Sequence, residues 1–260
     1  MKRIIKKISK LFTREKVVIR YVDRTEEDFY HQDGHKKTML EIAKTPTRTD
    51  ILNFLVGTTG ANSKYLEIGV RNPNDNFNKI NVNEKYSVDP GIEFEENPVD
   101  FKFTSDEFFQ KLNNGEILNK DIRFDVIFID GLHLAEQVDR DIKNALDFIS
   151  DSGFIVLHDC NPPTEFHASE TYSYMLSPSK GFWNGTTWKA FFKYRKQKEI
   201  YSCCVDTDWG IGVISKKTNL GEPSQVDNDY YEFKVFEDNR KDSLNLLSFE
   251  DFKKKVLADN

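Results

Sequence analysis

The chain has 260 residues, of which 38% are hydrophobic and 31% are charged, and its formal net charge is −6. That length suits one large α/β domain with short additions. The negative charge argues against nucleic-acid binding, because contacts with phosphates need a basic face. Cys160, Cys203 and Cys204 lack the spacing of a metal site, which predicts free thiols in the reducing cytoplasm.

Residues 1–12, MKRIIKKISKLF, combine an apolar stripe with five lysines and arginines. They lack the long apolar centre of a secretion signal, and no run in the chain approaches the roughly 20 apolar residues of a membrane span. Two interpretations remain open. The segment is either a solvated helix or frayed terminus, or a basic amphipathic helix in peripheral contact with the inner face of the membrane.

The pattern of apolar residues divides the chain into three regions. They are a basic N-terminal helix with a polar lead-in (1–35), a main domain with its preceding helices (36–217), and a polar tail with one short helix (218–260). In the main domain, KYLEIGV at 64–70 and YSVD at 86–89 predict the first two strands. A weaker strand is predicted near 99–103, before a helix.

The central unit of the main domain is a strand, a helix and a second strand in residues 124–165. The first apolar run ends on Asp130, and the second ends on His158 and Asp159. This order predicts a right-handed βαβ unit in a mostly parallel, doubly wound α/β sheet of Rossmann-like type. An irregular segment, a helix and a C-terminal antiparallel hairpin follow. Ligands bind such sheets at the carboxyl ends of the strands, so we expect the chemistry there.

Three residues at the ends of the first two strands suit a nucleoside ligand. Gly69 permits close approach of a ligand to the backbone, Asp89 can accept the hydroxyls of a ribose, and Glu67 can hold an ammonium group. The dinucleotide fingerprint G-x-G-x-x-G is absent, which favours a ligand without a pyrophosphate. The alternative is a tight turn in which these acids have no ligand.

The segments YLEIGVR, SVDP, FDVIFIDGLH and GFIVLHD resemble the class I S-adenosylmethionine-dependent methyltransferases, in particular the bacterial branch with an I-D-G-x-H motif. The resemblance covers roughly residues 48–215 and implies the Rossmann-like methyltransferase fold. It also implies a set of residues around S-adenosyl-L-methionine, with the serine and the acid after the third strand beside the adenine. That set is Glu67, Gly69, Arg71, Asp89, Ser105, Asp106 and Asp130.

Asp130 and Asp159 end neighbouring strands, and Asn161 follows in the next loop. Such oxygen ligands predict a site for a hard divalent cation such as Mg²⁺. Metal-dependent O-methyltransferases of small diols resemble this arrangement, but they have Asn directly after the second acid, where this chain has Cys160. The alternative is that Asp130 caps a helix and Asp159 only shapes the acceptor pocket.

Two of the five histidines, His133 and His158, fall on the same rim. A histidine near neutral pKa can take the proton of a hydroxyl during methyl transfer, and the alternative is a structural hydrogen bond. Side chains alternate along a strand, so if Asp159 faces the site, His158 should point away. We therefore predict His133 as the base, with Asp130 beside it, and a mainly structural role for His158.

Aromatic, amide and acidic residues in the later loops are typical of sugar binding, and equally of a covered sheet edge. The predicted acceptor residues are Asn161, Glu165, His167, Trp183, Trp188 and Asp208. The sequence thus predicts O-methylation of a small molecule or sugar, in glycan or natural-product assembly. A NAD-dependent dehydrogenase and a non-catalytic nucleotide-binding module remain alternatives. The sequence is compatible with both a monomer and a homo-oligomer.

Overall fold

The computed structural model describes residues 28–60, 62–94, 96–172 and 175–258. The segment 1–12, for which membrane contact is one of the two interpretations, lies outside them. The helices are α1 (Phe29–Ile42), α2 (Arg48–Thr59), α3 (Ser105–Asn113), α4 (Ala135–Phe148), α5 (Thr187–Arg195), α6 (Phe233–Asp238), α7 (Arg240–Leu244) and α8 (Phe249–Ala258). The strands are β1 (Lys64–Ile68), β2 (Glu84–Val88), β3 (Phe124–Ile129), β4 (Ile149–Leu157), β5 (Tyr201–Val205), β6 (Ile211–Ser215) and β7 (Leu246–Leu247).

The strands form one sheet in the order β2-β1-β3-β4-β6-β5-β7. Strands β2, β1, β3 and β4 are parallel, and β6 pairs antiparallel with both β4 and β5. The predicted fold class, a mostly parallel Rossmann-like sheet with a C-terminal antiparallel hairpin, is therefore confirmed. Ile68, Ile129 and Leu157 are paired across β1, β3 and β4, so the residues that follow these strands lie along one edge.

Both faces of the sheet are covered, which explains the unbroken apolar runs in its strands. Ile127 and Ile129 of β3 join the core on one side, and Val126 and Phe128 join the core on the other. Side chains alternate between the faces of a strand, so a strand between two layers must be apolar at every position. The three cysteines are buried and free.

Two predicted elements differ from the structure. The strand predicted near 99–103 is reduced to one isolated bridge between Phe101 and Val88. Strand β4 starts at Ile149, ahead of the apolar run from Phe154, because it pairs with the beginning of β3 across a register shift at Phe124. Neither feature follows from apolar periodicity alone.

The segment after Thr218 contains three helices and β7, whereas the sequence predicts one helix in a polar tail. It buries Phe236, Leu244, Phe252 and Val256 in the two cores. β7 also pairs with Cys204 and Val205, so β5 is not the edge of the sheet. Scattered apolar residues in a charged segment have a weak pattern, and only packing against the sheet shows their role.

Helix α1 packs on the irregular segment between β4 and α5. A Cβ on Gly34 would overlap the carbonyl of Pro178, so the helix backbone lies directly on that segment. The Thr38 hydroxyl is 2.9 Å from Nε2 of His167. Among the described residues, no helix is both long and apolar enough to cross a membrane.

Candidate active site

Three polar side chains meet beyond the ends of β3 and β4. Nε2 of His133 lies 3.4 Å from Oδ1 of Asp130, and Nδ1 of His133 lies 3.3 Å from Oδ2 of Asp159. Asp130 follows β3 directly, and His133 lies in the turn before α4. The His133 side chain is 22% exposed, so it can be reached from the rim of the sheet.

His158 belongs to the same group, so the expectation that it points away is wrong. Its Nδ1 lies 3.2 Å from Oδ1 of Asp130 and 3.1 Å from Oδ2 of Asp159. The alternation of side chains holds only within a strand, and β4 ends at Leu157. Asp159 has a φ of +61°, a left-handed conformation that redirects its side chain towards His158.

Arg48 and Asp208 complete what we call the acid–histidine cluster: Arg48, Asp130, His133, His158, Asp159 and Asp208. Nε2 of His158 lies 3.0 Å from a guanidinium nitrogen of Arg48 and 3.1 Å from Oδ1 of Asp208. The backbone N–H of Arg48 donates to Oδ2 of Asp208 at 2.7 Å. Sequence reasoning did not assign Arg48, and it placed Asp208 with the acceptor, because both are distant from the βαβ unit along the chain.

Opposite charges compensate one another in the cluster. Burial acts to lower the pKa of His133, but the carboxylates of Asp159 and Asp130 outweigh it and raise that pKa to about 9. Burial likewise opposes protonation of His158, and Asp159 and Asp130 raise its pKa well above the ordinary value. Against the effect of its own burial, His158, His133 and Arg48 hold the pKa of Asp130 well below its usual range. Both imidazoles are therefore mainly in the cationic, doubly protonated form at neutral pH.

Glu67 lies at the end of β1 and is 4% exposed. Its Oε2 accepts hydrogen bonds from the Tyr65 hydroxyl at 2.5 Å and from Nδ2 of Asn76 at 2.9 Å. Burial outweighs these two donors and raises the pKa of Glu67 to about 7. Its Oε1 accepts no hydrogen bond from the described residues, so this oxygen remains for a ligand.

Gly69 has a φ of +89°, and a Cβ there would overlap the carbonyl of Asp130. The glycine is therefore required where the loop after β1 crosses the loop after β3. Asp89, after β2, uses Oδ1 to accept from the Gly91 N–H at 2.7 Å and from Nδ2 of Asn97 at 3.0 Å. Its Oδ2 has no partner among the described residues. Oδ2 of Asp89 and Oε1 of Glu67 are therefore the two carboxylate oxygens of these residues that accept no hydrogen bond from the described part of the chain.

The remaining residues predicted around the donor have partners within the protein. Oγ of Ser105 accepts from Nε2 of Gln137 at 3.0 Å, and Asp106 forms an ion pair with Arg140 at 3.2 Å. Arg71 is exposed and forms an ion pair with Asp75 at 3.2 Å. Ser105 and Asp106 lie at the start of α3, as the resemblance implies, in contact with α4. The contacts of Arg71 within the described residues do not indicate a role in binding S-adenosylmethionine.

Of the oxygen ligands predicted for Mg²⁺, Asp130 and Asp159 are brought together, but Asn161 is not. Oδ1 of Asn161 accepts from Arg240 at 2.6 Å, and Nδ2 of Asn161 donates to Asp206 at 3.2 Å. A different set, Asp130, His133 and Asp159, has ligand atoms that all lie within 4.8 Å of one another. An imidazole nitrogen among these ligands suits a transition metal better than Mg²⁺.

The structure separates the residues predicted to contact an acceptor. Trp183 lies against His133, with ring centroids 5.4 Å apart and planes at 27°, and Glu165 is exposed. His167 and Trp188 are interior residues, which corrects their predicted position at an open pocket. Burial lowers the pKa of His167 to about 4, and Trp188 packs 4.4 Å from the ring of Phe236. Both side chains are buried in the interior. The local sequence around a buried histidine or tryptophan does not differ from that around one in an open pocket.

Comparison with known proteins identifies the family of the chain. The model of a family described as "Methyltransferase domain" matches residues 18–160, which is more than half of the chain. The chain therefore belongs to the methyltransferase-domain family, and the predicted class, an S-adenosylmethionine-dependent class I methyltransferase, is confirmed. No curated protein matches the chain.

Several solved structures are similar to this chain. The O-methyltransferase from Bacillus cereus in complex with SAH is 15% identical, covers 76% of this chain and 97% of its own, and has a TM-score of 0.46. A SAH-bound methyltransferase from Podospora anserina is 13% identical, with coverages of 78% and 96% and a TM-score of 0.44. A protein from Corynebacterium glutamicum is 14% identical, with coverages of 80% and 99% and a TM-score of 0.41.

Proposed function

We propose that this methyltransferase is an O-methyltransferase that acts on a hydroxyl of a small molecule or sugar. The observation that supports it best is the position of His133. Its ring is reachable from the rim of the sheet and lies within 3.4 Å of Asp130 and 3.3 Å of Asp159. A hydroxyl must lose its proton as it is methylated, and an imidazole oriented by carboxylates is a suitable general base.

The chain's residues would act mainly by alignment. When bound, S-adenosylmethionine supplies an electrophilic methyl group on a sulfonium. Glu67 and Asp89 would hold the two ends of that ligand, so that the methyl group points to the rim beside His133. The acceptor oxygen would attack in line, forming the O–CH₃ bond while the C–S bond breaks.

His133 would act as the base in its neutral form, which is the minority at pH 7 because its pKa is about 9, so turnover should rise with pH up to about 9. That neutral ring would receive the hydroxyl proton on Nε2. Its Nδ1 lies 3.3 Å from Asp159 and 3.2 Å from the carbonyl of Trp183, so the proton of the neutral ring belongs on Nδ1. Nε2 is then the basic nitrogen, and Asp130, at 3.4 Å, would stabilise the imidazolium that forms. The acceptor hydroxyl would have to approach between Nε2 and the Asp130 carboxylate.

A divalent cation is a second route to the same reaction. Asp130, His133 and Asp159 would hold it, and it would lower the pKa of the acceptor hydroxyl. His133 would then be a ligand instead of the base. Thorough chelation separates the two routes: we expect loss of turnover and recovery with Mn²⁺ or Mg²⁺ if the cation is needed. Full turnover after chelation would leave His133 as the base.

A sugar acceptor is supported by Trp183, whose ring borders His133. We also propose that this acceptor is an intermediate of glycan or natural-product assembly. Membrane contact through residues 1–12 and assembly into a homo-oligomer also remain predictions.

The decisive experiment is titration of the purified chain with S-adenosylhomocysteine and with NAD, followed by a methyl-transfer assay on panels of sugars and phenols. We expect binding of S-adenosylhomocysteine, no binding of NAD, and transfer to an oxygen that His133→Ala abolishes. Binding without transfer to any hydroxyl compound would favour the non-catalytic module. Transfer to nitrogen or carbon acceptors alone would overturn O-methylation.

A further inference from the structure

Four consecutive residues between β4 and α5, Trp183–Thr186, enclose His133. The Trp183 ring stacks on the imidazole at 5.4 Å, and the Trp183 carbonyl lies 3.2 Å from Nδ1. A Cβ on Gly185 would overlap the His133 carbonyl, so only glycine allows this close approach. The Thr186 N–H donates to the same carbonyl at 2.8 Å, and the Thr186 hydroxyl accepts from the Ala135 N–H at 2.8 Å. We call this segment the His133 clamp.

Asn184 links the clamp to the carboxylate beside His133. Its Nδ2 donates to Oδ1 of Asp159 at 2.6 Å, while the other oxygen of Asp159 lies 3.3 Å from Nδ1 of His133. Asn184 is fully buried, and its Oδ1 has no hydrogen-bond partner among the described residues. A buried amide oxygen without a partner disfavours folding. Packing alone would therefore favour an apolar residue here, and the amide donor needs another explanation.

The clamp is anchored through His167 to helix α1. The Asn184 and Gly185 N–H groups donate to the His167 carbonyl at 3.0 and 3.1 Å. The His167 ring lies between the hydroxyls of Thr164, at 2.8 Å, and Thr38 of α1, at 2.9 Å. This ring is fully buried, so its two hydrogen bonds place the carbonyl that supports Asn184.

We propose that Asn184 is a positioning residue for the base, acting through Asp159. By holding Oδ1, it turns Oδ2 towards Nδ1 of His133 and fixes the orientation of the ring, with Nε2 towards the acceptor. This proposal rests on the proposed role of His133. It requires no contact between Asn184 and either substrate.

The test compares Asn184→Leu with Asn228→Ala in the full chain. Leu has the same number and branching of side-chain heavy atoms as Asn but no donor. Asn228 is another buried asparagine, whose hydrogen bonds go to the Glu232 backbone. We expect Asn184→Leu to lower kcat about 10- to 100-fold, with the KM of the acceptor and the Kd of S-adenosylhomocysteine within about twofold. Asn228→Ala should leave kcat unchanged.

A spectroscopic measurement supplies the second readout. At about pH 10, above the pKa of about 9 of His133, the ring nitrogens should report the Nδ1–H tautomer in the native chain and a mixture of tautomers in Asn184→Leu, by ¹⁵N chemical shift. If Asn184→Leu does not fold, Asn184→Ala, which removes the donor without adding bulk or charge, replaces it and should show the same loss of kcat.

Two outcomes would overturn the proposal, and they differ in meaning. If His133→Ala is inactive while the Asn184 variant keeps kcat within twofold and the native tautomer, the clamp is only structural and the proposed function stands. If His133→Ala keeps normal turnover, the role of His133 fails, and the proposal for Asn184 fails with it.

Discussion

Glu67 combines burial with an oxygen that remains open to a ligand, and this makes donor binding sensitive to pH. Its pKa of about 7 means that the neutral form prevails below that pH. An ammonium group needs the ionised form, so we expect affinity for S-adenosylhomocysteine to fall about tenfold per pH unit below pH 7 and to level off above it. Calorimetric titration from pH 5.5 to 8.5 measures this.

Glu67→Gln is the control for that pH dependence. The amide keeps the shape of the side chain but cannot ionise, so affinity should be weaker at pH 8 and nearly independent of pH. A native chain whose affinity does not change with pH would show that Glu67 does not hold the ammonium. An equal slope in Glu67→Gln would assign the titration to another group.

Asp89 tests the other end of the donor. Its Oδ2 is free of protein partners among the described residues, so it can accept the ribose hydroxyls without breaking the turn at Gly91. We expect Asp89→Ala to weaken S-adenosylhomocysteine binding by about 1.5–3 kcal/mol, the scale of hydrogen bonds to a charged group. Thermal melting should verify that the variant is folded, and unchanged affinity would remove Asp89 from the site.

The two rim histidines should differ in what their removal costs. We expect His133→Ala to lower turnover about 10²- to 10⁴-fold with donor affinity near normal. His158 is 7% exposed and lies between Asp130 and Asp159, so its loss leaves buried carboxylates uncompensated. His158→Ala should therefore cost about 3–5 kcal/mol of stability, measured by urea unfolding. If His158→Ala abolishes turnover while His133→Ala keeps it, His158 and not His133 is the base.

At the level of elements, the C-terminal helices contribute to the core as the strands do. Phe252 of α8 is fully buried, and its ring lies 6.1 Å from that of Phe54 in α2. We expect Phe252→Ala to lower the free energy of unfolding by about 3–5 kcal/mol. Tyr230→Ala, at a residue that is 90% exposed, should change it little. If denaturant titrations show that Phe252→Ala lowers the free energy of unfolding as little as Tyr230→Ala does, α8 adds no stability.

The elements around the site also explain which residues sequence reasoning found. Asp130 and Asp159 end apolar runs, and a polar residue after a buried parallel strand marks the binding edge of the sheet. Arg48, at the start of α2, has no comparable signal. Its contact with His158 spans 110 positions of sequence and depends on how α2 packs on the sheet.

For the whole molecule, the sequence by itself determined the mostly parallel sheet, the neighbouring strands that end at Asp130 and Asp159, and the edge at which these acids lie. These follow from local patterns, because buried strands and amphipathic helices require particular apolar spacings. The tertiary structure alone decided the membership of the acid–histidine cluster, the interior positions of His167 and Trp188, and the contribution of the C-terminal helices to the core. Those features depend on contacts such as Asp208 with His158, 50 positions apart, and on a left-handed Asp159 that cancels the alternation of a strand. Side-chain direction after a strand ends is set by packing and backbone torsion, which no periodicity encodes.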